Sequence, residues 1–139
     1  TIQLPTEPIG SIPKPQALVD AVGCKDPADP ALMLFEDAIR DTIARFEATG
    51  SPVITDGEQR KYHNFWTYSV HGLPNTHPDG FKIPFAAGHT RRMPRLTAGP
   101  FRYARRAEAC LDFALNHAKV PVKQSVISPS ALSLMYPNG

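Results

Sequence analysis

Ser51-Pro52-Val53-Ile54-Thr55-Asp56-Gly57-Glu58-Gln59-Arg60 is the stretch whose reading decides the fold of this chain. Val53 and Ile54 give a short buried-strand signal, and Pro52 before them is tolerated among a strand's first residues. The character then reverses, with Asp56, Glu58, Gln59 and Arg60 gathered around Gly57. In α/β enzymes, groups at the carboxyl ends of buried strands face the ligand crevice. Asp56 and Glu58 are therefore candidate site residues. The same pattern also fits a strand that ends in an ordinary polar turn, where Asp-Gly is common.

Upstream lies the clearest helix signal. Asp29 can cap, Pro30 fits the first helical position, and Gly50 stops the run. Leu32, Phe35, Ile39, Ile43 and Phe46 recur at steps of three and four, which makes one face apolar. Glu36, Asp37, Arg40, Asp41, Arg45 and Glu47 occupy the other face, with Glu36–Arg40 and Asp41–Arg45 at the favourable i,i+4 spacing. Those charges read as a solvated face. Further upstream, Thr1–Ser11 reads as an extended entry ending in Ile9-Gly10-Ser11. There Gly10 permits close backbone approach, and Ser11 offers a hydroxyl and an N–H to an anionic group; a plain turn fits the same residues. Pro13-Lys14-Pro15 forces a turn, and Gln16–Val22 suggests two helical turns closed by Gly23. Strand, helix and strand in this order imply a parallel pair with a right-handed crossover.

Downstream, Tyr62–Val70 reads as a helix or helical turn whose Phe65, Trp66 and Tyr68 serve packing. His71–Pro100 is long, irregular and rich in Pro and Gly, with strand-like pieces at Phe81–Phe85 and Arg95–Thr97. A loop of that length in a compact domain is usually functional. Arg91, Arg92, Arg95, Arg102, Arg105 and Arg106 fall in or just after it. They suit a phosphate or polyanionic tail, and equally suit a solvated face. Phe101–Lys119 returns to helical periodicity, with Ala104, Ala107, Leu111, Ala114, Leu115 and Ala118 on one side. Val120–Ser128 reads as a third strand leading to Ser128-Pro129-Ser130, and Ala131–Tyr136 begins a helix.

The 139 residues suffice for one domain with a real core. A net charge of +2 is too small to argue for nucleic acid. No run reaches the roughly 18 apolar residues of a membrane span. Cys24 and Cys110 lie far apart without a CxxC, as expected of free thiols in a reducing compartment, so a soluble, cytoplasmic protein is expected. Twelve of the 15 prolines cluster at Pro5–Pro15, Pro74–Pro100 and Pro121–Pro137, which marks long shaped loops between intact helical and strand patterns. His63, His71, His77, His89 and His117 show no HxxxH or HExxH spacing, so no metal site is expected from them. A P-loop, GxGxxG and Gly-x-Ser-x-Gly are all missing. Three strand ends carry the polar candidates: Ile9-Gly10-Ser11, Asp56-Gly57-Glu58 and Ser128-Pro129-Ser130. In a β/α fold they converge on one face.

Ile9-Gly10-Ser11 and Thr49-Gly50-Ser51-Pro52-Val53-Ile54-Thr55-Asp56-Gly57-Glu58 together resemble the catalytic barrel of cobalamin-independent methionine synthase and its methionine-synthase-II-like relatives. Leu96-Thr97-Ala98-Gly99-Pro100, and Pro121-Val122-Lys123-Gln124 leading to Ser128-Pro129-Ser130, extend the likeness over nearly the whole chain. The resemblance implies a (β/α)₈ barrel and transfer of a methyl group from methyltetrahydrofolate polyglutamate to the zinc-bound thiol of homocysteine. It implies that Ile9, Gly10 and Ser11 hold the amino-acid end of homocysteine and that Glu58 grips its amino group. A carboxylate suits an ammonium because a charge-assisted hydrogen bond is strong and directional. Asp56, Ser128, Ser130, Arg91 and Arg92 are further candidates on the substrate or folate side.

Two features depart from that family. Its zinc ligands come from later strands, so no metal ligand is expected in this chain. Met135 and Tyr136 stand where true methionine synthases carry a tryptophan that stacks on folate, which favours a relative with another methyl or alkyl donor. A complete barrel of this type needs roughly 250 residues. The expected fold is therefore α/β, a partial (β/α)₈ TIM barrel over residues 1–139, about three β/α units with a long irregular insertion. Such a piece is a fragment of a longer chain or covers its open barrel edge as a homo-oligomer, and alone it is expected to be inactive. A non-catalytic binding module that keeps the Ile9–Ser11 and Glu58 pocket is the alternative.

Overall fold

The computed structural model describes residues 6–22, 32–61 and 68–134. The chain divides into two compact units, Thr1–Tyr62 with Ala107–Ser125, and His63–Arg106 with Val126–Gly139.

The first unit is organised by helices α1 (Gln16–Val22) and α2 (Leu32–Ala48). The apolar steps along α2 do what their spacing requires: Phe35, Ile39 and Ile43 are buried. Phe35 and Ala38 pack on Leu18 of α1. Ile39 and Ile43 pack with Ile54 and Ala114, and Phe46, Phe113, Val120 and Val122 close around them. Full burial of one such side chain contributes about 1.5–3 kcal/mol, so this cluster outweighs the polar face of α2. On that face Arg40 pairs with Asp37 at 2.7 Å and Arg45 with Asp41 at 2.8 Å, and exposed pairs of this kind contribute about 0–1 kcal/mol each. The helix ends where the amides of Thr49 and Gly50 turn back to the carbonyls of Phe46 and Glu47. The expected cap at Asp29, Pro30 and the stop at Gly23 lie outside the described residues.

Extended segments run beside one another behind α2. Ser51 Oγ donates to Thr6 O at 2.8 Å, and Ile12 N donates to Gly57 O at 3.2 Å. The two links have the same sequence offset, so residues 6–12 and 51–57 run in the same direction. Ile54 and Val122 form a parallel bridge, in which Ile54 N donates to Pro121 O at 2.9 Å and Lys123 N to Ile54 O at 2.8 Å. Glu47 Oε1 accepts from Lys119 N at 2.6 Å and fastens the approach to that bridge onto α2. The expected strands at Pro52–Thr55 and Val120–Ser128 are thus reduced to one bridge. The expected helix over Phe101–Lys119 is also shorter: a 3₁₀ turn at Ala107–Cys110 precedes α3 (Asp112–Leu115). Its start is lost because Ala104 N donates to Ser69 O at 2.7 Å instead of entering a helical ladder.

The second unit is built on an antiparallel hairpin of β1 (Thr76–Pro84) and β2 (Thr90–Leu96). The strand-like pieces expected at Phe81–Phe85 and Arg95–Thr97 overlap only parts of these strands, because prolines at positions 78, 84 and 94 interrupt the pattern and only edge strands tolerate them. In a two-stranded sheet both strands are edges. Met93 and Leu96 face inward, and Leu96 packs with Val70 and Ile127. Helix α4 (Pro129–Ser133) begins earlier than expected because Ser128 Oγ caps it, accepting from Ala131 N. Tyr62, Phe65, Trp66, Met135 and Tyr136 lie outside the described residues. No helix among the described residues is long and apolar enough to cross a membrane.

Candidate functional site

Thr55, Asp56, Glu58, Gln59 and Lys61 are all buried, an unusual density of polar side chains in seven positions. Burial of such groups is costly unless each finds a partner, so the local geometry decides how the segment survives. Gly57 has φ 69°, and a Cβ there would stand 2.7 Å from Ile12 Cγ1 and 3.0 Å from Thr42 Cγ2. Only glycine meets both demands. The residue after it is also left-handed: Glu58 has φ 57°, at a cost on the order of 1–3 kcal/mol.

Several bonds hold Glu58 in that conformation. Its N–H donates to Asp56 Oδ1 at 2.9 Å. Its carbonyl accepts from Lys61 N at 3.1 Å and from Lys14 Nζ at 3.2 Å. Its carboxylate lies 3.8 Å from Lys61 Nζ, which also donates to Ser125 O at 2.6 Å. The turn therefore aims one carboxylate in a fixed direction.

That carboxylate meets the Ile9–Ser11 segment. A Cβ on Gly10 would stand 2.6 Å from Glu58 Oε1 and 2.5 Å from Ser125 Oγ, so the missing side chain is what admits both groups. Ser125 Oγ donates to Ile9 O at 3.1 Å. Ser11 is exposed beside buried Gly10, between two residues that touch the 57–58 turn. Ile9 presents its carbonyl to the cluster, although the residue as a whole is 94% exposed. Three chain segments, around residues 10, 58 and 125, thus meet at one place.

Four charged side chains gather there. Burial pulls the Lys14 ammonium below its ordinary value of 10.5; Glu58 and then Asp56 pull it back up, and Lys61 pushes it down. Buried Asp56 uses Oδ1 on the Glu58 amide, while Asp56 Oδ2 has no hydrogen-bond partner. Both amide atoms of Gln124 are likewise buried without a partner. Gln124 lies two residues past Val122 and Asp56 two past Ile54, the bridged pair. Unmatched buried polar groups of this kind mark a strain reservoir or a place for a ligand.

Of the residues singled out from the sequence, Ile9, Gly10, Ser11, Asp56 and Glu58 are brought together. Ser128 and Ser130 belong to the second unit, where Ser128 Oγ lies 3.0 Å from Ser130 Oγ and caps α4. Arg92 is exposed on β2, directly opposite Lys82. The Arg91 backbone pairs with Ile83, and its side chain lies outside the described residues. Lys14, Lys61 and Ser125 were missed by sequence reasoning. Lys14 reads in the sequence only as the middle of a proline turn, and no local pattern points to its contact 44 positions away. Among the described residues no three His, Cys, Asp or Glu side chains gather as a metal-ligand set. No family model matches the chain, and no curated protein or solved structure matches it.

Proposed function

We propose that the Gly10–Glu58 cluster is the amino-acid end of a homocysteine pocket, in a methionine-synthase-like thiol methyltransferase whose (β/α)₈ barrel these 139 residues help to build. The observation that carries this is the Glu58 carboxylate, held in a strained turn and set against the bare backbone of Gly10. A turn that costs energy and is tied down by two lysines serves a fixed direction better than it serves stability. The side-by-side parallel course of residues 6–12 and 51–57 and the Ile54–Val122 bridge support a β/α arrangement with its polar strand ends together.

In this reading Glu58 accepts hydrogen bonds from the ligand's ammonium, and Asp56 Oδ2 is a second acceptor nearby. Gly10 and Ser11 offer backbone N–H groups and a hydroxyl to the carboxylate. The resemblance sets its zinc ligands on later strands, and among the described residues no three His, Cys, Asp or Glu side chains gather. Holding and orienting the acceptor amino acid is the part assigned to this chain. A cytoplasmic setting keeps such a thiol reduced.

Titration calorimetry with homocysteine on the wild-type chain and on Glu58→Gln tests the proposal. A hydrogen bond to a charged group contributes about 1.5–3 kcal/mol, so the substitution should weaken binding about 10- to 100-fold. Equal affinity in the two proteins would remove Glu58 from the pocket.

A further inference from the structure

The cluster holds a group that the homocysteine reading leaves unused. Lys14 is half-buried, and its ammonium donates to Glu58 O at 3.2 Å. An ammonium has three N–H donors, so two remain for something else. The chain that follows Lys14 is anchored, because Leu18 N and Val19 N both donate to Pro15 O and α1 starts at Gln16. Lys61 differs in kind. It is buried, spans Glu58 and Ser125 O, and is consumed by that bridge.

Charge balance gives Lys14 a task. Glu58 Oε1 lies 3.8 Å from Lys61 Nζ, Glu58 and Asp56 both act electrostatically on the Lys14 ammonium, and these four formal charges cancel. A ligand ammonium arriving at Glu58 would leave this half-buried cluster with an excess positive charge. Such an excess is unfavourable where water is scarce. A ligand that brings its own anion beside Lys14 restores neutrality. A zwitterion does so, whereas a simple amine does not.

We infer that Lys14 supplies the charged half of anion recognition beside Gly10 and Ser11, so that the pocket selects small amino acids whose acid group lies against the Lys14 ammonium while the amino group lies against Glu58. This rests on the amino-acid reading of the cluster. The unpartnered, buried Asp56 Oδ2 independently points to a cationic group arriving at the same place.

Calorimetry with two probes on four proteins separates the possibilities. The probes are homocysteine and aminopropanethiol, the same molecule without its carboxylate. The proteins are wild type, Lys14→Met, Lys14→Arg and Glu58→Gln. Wild type should prefer homocysteine by about 10- to 100-fold, the range of one charge-assisted hydrogen bond. Lys14→Met should remove most of that preference by weakening homocysteine alone, and Lys14→Arg should restore part of it. Glu58→Gln should weaken both probes. Equal weakening of both probes by Lys14→Met would show that Lys14 acts only by bracing the Glu58 turn, and would overturn the inference while leaving the pocket intact. Unchanged homocysteine binding in Lys14→Met would overturn it as well. If neither probe binds wild type, or if Glu58→Gln has no effect, the amino-acid reading itself fails and takes this inference with it.

Discussion

Adding one methyl group at Gly10 probes the central geometry most directly. In Gly10→Ala the new Cβ would stand 2.5 Å from Ser125 Oγ and 2.6 Å from Glu58 Oε1, well inside the 3.4 Å at which ordinary contact begins. Neither neighbour is free to retreat. Ser125 Oγ is tied to Ile9 O, and the Glu58 side chain is 8% exposed beside Lys61. Forcing Glu58 off its rotamer costs about 0.5–1.5 kcal/mol, and losing the Ser125–Ile9 hydrogen bond costs about 1 kcal/mol. Against this, Gly→Ala restricts the unfolded chain and contributes about 0.4–1 kcal/mol to stability. The net expectation is a destabilisation of about 0.5–2 kcal/mol. Homocysteine binding should suffer more, by at least about tenfold, because the displaced group is the proposed ammonium acceptor. Urea unfolding measures the first effect and calorimetry the second, with Gly99→Ala as a control because nothing lies within 4 Å of its Cβ position. Wild-type urea midpoint and wild-type affinity in Gly10→Ala would refute the proposed meeting of residues 10, 58 and 125.

Two further outcomes are expected. Ile39→Ala, at a fully buried position of the α2 core, should cost about 2–5 kcal/mol in urea unfolding; a loss under about 1 kcal/mol would mean that α2 does not pack as described. Lys14 supplies a pH dependence: because burial lowers its folded-state pKa below 10.5, the unfolded chain binds more protons in the window between that lowered value and 10.5. Stability relative to Lys14→Met should therefore rise as pH climbs through that window, and a flat difference between the two urea curves would show that Lys14 is not held in a buried site.

Sequence and structure divide the explanation along a physical line. The amphipathic face of α2 is legible because helix periodicity is a local property, and Phe35, Ile39 and Ile43 are buried as their spacing requires. The weight of Ser51–Arg60 is also legible, since a Val-Ile pair followed by two carboxylates around a glycine is a local pattern. The hairpin was harder to read, because Pro84 and Pro94 look like strand breakers until the strands prove to be a two-stranded edge pair. Ser128 and Ser130 read in the sequence as a strand exit, and in the fold Ser128 Oγ caps α4 with Ser130 Oγ beside it.

What the sequence by itself determined was therefore the apolar framework of α2 and the candidacy of Gly10, Ser11, Asp56 and Glu58. Only the tertiary structure decided that Glu58 is left-handed, that Lys14 and Lys61 clamp it, and that Ser125 completes the cluster. The physical reason is distance along the chain. Periodicity and turn chemistry act over a few residues, whereas the contacts of Lys14 and Ser125 span 44 and 64 positions and exist only once packing has brought those segments together.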